Sequence, residues 1–191
     1  MRQFLAIEPD ARARSGIDDA IAGARAMANA DGLRWTPSEN VHLTLHFLGE
    51  VAPERARELA DSLDTPFRIE PFLVTLDRFG VFPPSGPPRT VWLGVGQGAA
   101  SVEHVHQELG RRLTSLGVAI ETRRFTPHLT VARAKDGDHR LRRLRELLAE
   151  VRVPAVQWTV NEAVLVRSDL SGPRPIYTAV ARMKLDARGT D

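Results

Sequence analysis

Residues 39–50, ENVHLTLHFLGE, and residues 124–135, RFTPHLTVARAK, carry the same short phrase: His42-Leu43-Thr44-Leu45 and His128-Leu129-Thr130-Val131. Both stretches alternate apolar and polar residues with period two, the pattern of a half-buried strand. On such a strand His42 and Thr44 share one face, as do His128 and Thr130, while the leucines and valine face the core. Two half-sites of imidazole and hydroxyl, related by a pseudo-two-fold axis, can build one site. One neutral imidazole there takes a proton and one protonated imidazole gives one.

The two histidines lie 86 residues apart, and the same offset recurs along the chain. FLAI at Phe4–Ile7 reads as a buried strand, and VWLGV at Val91–Val95 repeats it after a turn-rich PPSGPPR segment. Each strand leads into a helix, over Ile17–Ala30 in the first half and Ala99–Leu116 in the second, the latter closed by Gly117. After each His-x-Thr strand, apolar spacing predicts a further helix, over Pro53–Leu63 and His139–Val151. A strand pair follows each of these helices, Arg68–Leu76 answering Ala155–Val166, and a last strand comes at Ile176–Met183. A period of this kind is the mark of duplication even where residue identity is low.

The expected architecture is therefore α+β and bilobal, with two small, mostly antiparallel sheets, helices on their outer faces, and a central cleft on a pseudo-two-fold axis. The repeats span about 1–88 and 89–185 within a single domain covering 1–191, since no Gly/Ser-rich linker divides them. Because the strand at Val91 ends one unit and begins the next, the lobes share or exchange strands.

With 42% hydrophobic residues the chain can bury a full core. Its lack of cysteine excludes disulfides, thiolate metal sites and a cysteine nucleophile. The N-terminus shows no signal-peptide run and no apolar segment approaches membrane-spanning length, so a cytoplasmic protein without membrane contact is expected. Arginine supplies 24 of the 26 basic residues. The usual source of that bias is a GC-rich coding sequence, though guanidinium groups also suit a phosphate-bearing partner.

The two phrases with their flanks resemble the paired His-x-Thr signatures of the two-histidine phosphoesterases, in the branch of 2'-5' RNA ligases and RNA 2',3'-cyclic phosphodiesterases. The resemblance runs nearly full length. It includes Arg34-Trp35, the Phe-Leu-Gly after the first motif, the Arg89–Gly94 strand and Arg133. It implies hydrolysis of RNA 2',3'-cyclic phosphate ends to 2'-phosphomonoesters, with ATP-independent 2'-5' ligation as the reverse reaction, and it implies no cofactor and no metal. It also implies that His42 donates the proton to the leaving 3' oxygen and His128 accepts one from water; the residues alone leave that near-symmetric pair unpolarised. Thr44 and Thr130 suit the non-bridging phosphate oxygens. Arg133 is a phosphate contact by resemblance, but in a regular strand it faces the wrong way and needs a bulge to reach the site. Partners are then RNA ends or a nucleotide with a 2',3'-cyclic phosphate, and a monomer is favoured. The alternatives are a phosphodiesterase for a small cyclic nucleotide or ADP-ribose cyclic phosphate, and a non-catalytic RNA-end-binding module.

Other signals are weaker. His42 and His46 would sit about 13 Å apart on a strand, too far to share a metal ion. His46 falls on the face of His42 and Thr44 and borders the cleft, while Phe47 falls off that face and into the core. His104 and His106, two apart on a helix, and His139 read as exposed. Arg89 is a further candidate phosphate contact, and Trp35, Phe82 and Phe125 are loose candidates for stacking a base. Gly94-Val95-Gly96-Gln97-Gly98 has the wrong spacing for a dinucleotide loop and reads as a strand-to-helix turn.

Overall fold

The computed structural model describes residues 1–28, 32–63, 67–134, 141, 143–172 and 174–186. In chain order its elements are β1 (Arg2–Ile7), α1 (Ala11–Ala28), β2 (Leu33–Trp35), a 3-10 turn (Ser38–Asn40), β3 (Leu43–Glu50) and α2 (Pro53–Leu63). The second half continues with β4 (Phe72–Phe82), β5 (Thr90–Val95), α3 (Ala99–Ser115), β6 (His128–Ala134), α4 (Leu144–Ala149), β7 (Val156–Val160), β8 (Glu162–Asp169) and β9 (Ile176–Lys184).

The strands run in the order β7-β4-β5-β6-β3-β1-β8-β9, with the short β2 paired to β6. The strands form one continuous nine-stranded sheet whose halves, β3-β1-β8-β9 and β6-β5-β4-β7, make the two expected lobes. They join through one antiparallel pair, Leu43 opposite Leu129. Each lobe borrows from the opposite repeat. β4 of the first repeat pairs with β5, and β8 of the second pairs with β1. The helices cross over too: α1 packs with α4 against β7, and α3 packs against β3.

Local chemistry explains where the elements differ from expectation. α1 starts at Ala11, ahead of its apolar stripe at Ile17, because the Asp10 carboxylate accepts the Ala13 N–H at 2.7 Å and caps the helix. β4 begins after Pro71, which has no N–H for a ladder, and runs on to Phe82 through Gly80. A side chain at Gly80 would collide with the Trp92 indole, 2.2 Å from an added Cβ. The strand pair expected at Ala155–Val166 is β7 and β8, which part at Asn161 and enter opposite lobes. The helix expected over His139–Val151 is α4, Leu144–Ala149; His139 and the end of the first helix at Ala30 lie outside the described residues. Gly117 closes α3 as foreseen, at φ +71°, with Val118 N–H on Leu113 O and Gly117 N–H on Thr114 O, both at 2.9 Å. The glycine-rich turn connects β5 to α3, with Gly98 at the helix start.

The main core lies between the sheet and the helices and runs continuously through both lobes. Phe4, Ala6, Val164 and Val166 form a small separate cluster with Tyr177 on the opposite, cleft side of the first lobe. No helix among the described residues is long and apolar enough to cross a membrane.

Candidate active site

The floor of the cleft is the joint between β3 and β6. Leu43, Leu45, Leu129 and Val131 point into the core and are buried. His42, Thr44, His128 and Thr130 alternate with them and line a cleft of about 900 Å³. Leu43 opposite Leu129 also sets the cross-strand relations: the same register puts His42 beside Thr130 and Thr44 beside His128. Each histidine thus faces the threonine of the other motif. The two histidines are diagonal neighbours, a relation that spans roughly 7–8 Å between backbones.

Beyond the threonines both motif strands bulge at the same place. Along β6 the partner changes from Trp92 opposite Thr130 to Val91 opposite Ala132, leaving Val131 as the extra residue. Along β3, Ala6 is opposite Thr44 and Leu5 opposite His46, leaving Leu45 extra. A bulge reverses the alternation beyond it. Arg133 is therefore turned to the cleft, as its expected role required. The same reversal changes two other expectations: His46 turns off the face of His42 and is buried, though it still borders the cleft as expected, and Phe47, placed in the core by simple alternation, stands 63% exposed on the cleft wall.

A bulge leaves a carbonyl without its ladder partner, and the two lobes satisfy it differently. Val131 O accepts from the backbone N–H of Thr36, just past β2, at 2.8 Å. Leu45 O accepts from the Nδ1–H of His106 on α3 at 2.9 Å, and His46 returns a bond from Nε2–H to His106 O at 2.8 Å. The rings of His46 and His106 stack at 4.1 Å, and Phe125 stacks on the other face of His106 at 3.9 Å. His106 is thus not the exposed helix histidine expected from its spacing; His104 is. Burial lowers the pKa of both His46 and His106, so the pair is neutral at neutral pH.

The two motif imidazoles are held alike. His42 Nδ1–H donates to Asn40 O at 2.9 Å, and His128 Nδ1–H to Thr126 O at 2.7 Å. A carbonyl can only accept, so both rings carry the proton on Nδ1 and leave Nε2 for exchange with a ligand. Arg14 on α1 steadies the segment before His42 through Ser38 O at 2.5 Å, and Ser38 Oγ–H donates to Asp18 at 2.7 Å. His42 lies flat on Phe4 at 4.5 Å and meets the edge of Tyr177 at 5.2 Å. His128 is walled edge-on by Phe82 at 5.0 Å and Trp92 at 6.0 Å. This aromatic packing buries the rings and pushes His42 down to about 4, helped by the positive charges of Arg14 and Arg133 and opposed by Asn40 O. His128 is lowered for the same reasons, burial first, then Arg133. An empty cleft therefore holds two neutral imidazoles at neutral pH.

Of the looser candidates, Phe82 and Phe125 line the cleft. Trp35 instead packs under the Arg25 guanidinium, 5.4 Å from its ring. Arg89 is exposed and is not among the lining residues. Sequence reasoning did not single out Phe4, Tyr177, Trp92 or Arg124, which come from β1, β9, β5 and the segment before β6. Among the described residues no three His, Asp or Glu side chains gather to hold a metal ion.

Comparison with known proteins identifies the family. A family model described as the 2'-5' RNA ligase superfamily matches residues 11–172. An RNA 2',3'-cyclic phosphodiesterase of Aeropyrum pernix is 38% identical over 82% of this chain and 89% of its own. One from Methanothermobacter thermautotrophicus is 33% identical over 97% and 99%. The crystal structure of E. coli LigT complexed with 3'-AMP superposes with a TM-score of 0.77 at 28% identity, covering 96% of this chain and 97% of that one. The chain belongs to the 2'-5' RNA ligase superfamily.

Proposed function

We propose that the protein is an RNA 2',3'-cyclic phosphodiesterase that opens cyclic phosphate ends to 2'-phosphomonoesters, and that 2'-5' RNA ligation is the reverse of the same chemistry. The observation that carries this reading is the pair of Nδ1-anchored imidazoles set diagonally across the strand joint, with a threonine beside each. The phosphodiesterase names of its relatives support the substrate class.

In this mechanism the phosphorus sits between the two Nε2 atoms. His128 takes a proton from water as the water oxygen bonds to phosphorus, the bond from phosphorus to O3' breaks, and His42 gives its Nε2 proton to O3'. Thr44 and Thr130 donate to the non-bridging oxygens, and the Arg133 guanidinium balances their growing charge. The acid form of His42 depends on the substrate. Burial strips its proton in the empty cleft, and the phosphate anion brought between the rings restores it. For ligation a 5'-hydroxyl replaces water and the histidines exchange roles. No step calls for a metal ion, ATP or another cofactor.

The working unit is the whole chain as one bilobal domain, acting as a cytoplasmic monomer, because one chain supplies both histidines. The test is an oligoribonucleotide ending in a 2',3'-cyclic phosphate, incubated with the protein in excess EDTA. Release of a 2'-phosphomonoester end is expected. No turnover, turnover only after a divalent ion is added back, or a 3'-phosphate product would overturn the assignment.

A further inference from the structure

The floor of the cleft is nearly symmetric, but its walls are not. The bulges bring Phe47 and Arg133, 86 residues apart, to equivalent positions on the cleft wall: one lobe presents a flat apolar ring where the other presents a guanidinium. A second position repeats the contrast. Arg124 lines the cleft, whereas its counterpart 86 residues earlier, Ser38, is buried and bonded to Asp18.

Four arginines line the cleft, and their partners sharpen the difference. Arg2, on the first lobe, is paired at 3.2 Å with Glu50, which it shares with the N-terminal ammonium, and this pair is exposed. Arg123 is paired with Glu121, but both side chains are exposed, and such a pair exchanges readily for a phosphate. Among the described residues Arg124 and Arg133 have no ion pair. Among the described residues the cleft arginines without an ion pair therefore lie on the second lobe. On the first lobe Phe47 is backed by Phe4 at 6.3 Å, and Leu170, 48% exposed, lies on the same wall.

Resting on the phosphodiesterase reading, we propose that the cleft takes its substrate in one direction, with the base of the terminal nucleotide stacked on Phe47 and the phosphates of preceding nucleotides held by Arg123 and Arg124. A base has an apolar face that suits an exposed ring and is indifferent to sequence. A nucleotide chain carries a charge at every link, which suits a row of guanidinium groups. The preferred substrate is then an oligonucleotide end, in which both walls are used, rather than a mononucleotide, which can use only Phe47.

The test compares adenosine 2',3'-cyclic phosphate with a tetranucleotide ending in the same group, at two salt concentrations. The native protein should favour the tetranucleotide in kcat/KM by at least about tenfold at low salt and lose that margin as salt rises. In the Arg123→Gln/Arg124→Gln variant the margin should shrink towards unity and its salt dependence should flatten. Phe47→Ala should cost about tenfold or more on both substrates, with Phe47→Trp restoring most of the loss. Equal use of both substrates by the native protein would overturn the proposal. So would a double-arginine variant that loses the same factor on each, or a Phe47→Ala variant that loses nothing. Failure of the native protein to turn over either substrate would instead overturn the phosphodiesterase reading itself.

Discussion

The Nδ1–H of His106 occupies the bulge carbonyl of Leu45 in the first lobe, where the second lobe uses the backbone N–H of Thr36 on Val131. A side chain from α3 thus replaces a strand. His106→Phe keeps a flat ring against His46 and Phe125 but strands a buried carbonyl, at a cost of about 1–3 kcal/mol in denaturant unfolding. Because the bulge adjoins Thr44 and aims Phe47, kcat should fall as well. His106→Asn retains an N–H donor and should recover more of kcat than His106→Phe. Equal kcat in the two variants would show that stacking, not the hydrogen bond, sets the strand.

His42→Ala and His128→Ala should each lower kcat by roughly 10² to 10⁴, the usual worth of one general acid or base. The double variant should fall far short of the product of the two, since both protons move in one event. His46→Ala is expected to retain proton transfer and lose activity only through the bulge. Rapid-quench rates on a cyclic-phosphate oligonucleotide separate these cases.

The pH profile should be a bell that belongs to the coupled pair. Its alkaline limb in kcat/KM, which reports the free enzyme, should lie below 6.5 because burial lowers both imidazoles. In kcat the phosphate is bound, so that limb should move to higher pH. Coincident limbs would contradict a proton that arrives with the substrate. Stability carries the same sign. The folded state keeps His42 neutral down to about 4 while the unfolded chain protonates near 6.5. The stability is therefore full above 6.5 and declines as pH falls from there towards 4, His42 contributing about 3 kcal/mol of the loss.

Arg133 lowers the pKa of both His42 and His128. Arg133→Gln should therefore raise both in an NMR titration of the free protein, making the acid easier to form. Activity should nevertheless drop, by about 1.5–3 kcal/mol of transition-state stabilisation, because the phosphate loses a charged donor. Raised pKa values with undiminished kcat/KM would remove Arg133 from the phosphate site.

The repeat, the His-x-Thr strands and the cleft between them were legible because each rests on a local pattern: a doubled phrase, a period of two, and matched helices. The bulges were not legible at His46 and Phe47, since the partner strand's register decides them and alternation alone assigns both residues to the wrong face. Arg133 shows the same limit from the other side, because its role demanded a bulge that its own sequence does not announce. The parting of the expected pair at Asn161 into opposite lobes was hidden for a related reason. Residues on both sides of it suit strands, and only the pairing with β4 and β1 sends them to different lobes.

The crossover of β4, β8, α1 and α3 fixes what half of this molecule could be. A chain ending near residue 88 would hold a sheet lacking its third strand and a helix with no surface to cover. Two copies trading those parts would complete each other and bring two identical His-x-Thr strands to one dyad, as in a domain-swapped dimer. Fusing such copies into a single chain frees each wall of the cleft to change alone. That independence is what allows a guanidinium on one side to answer a phenyl ring on the other.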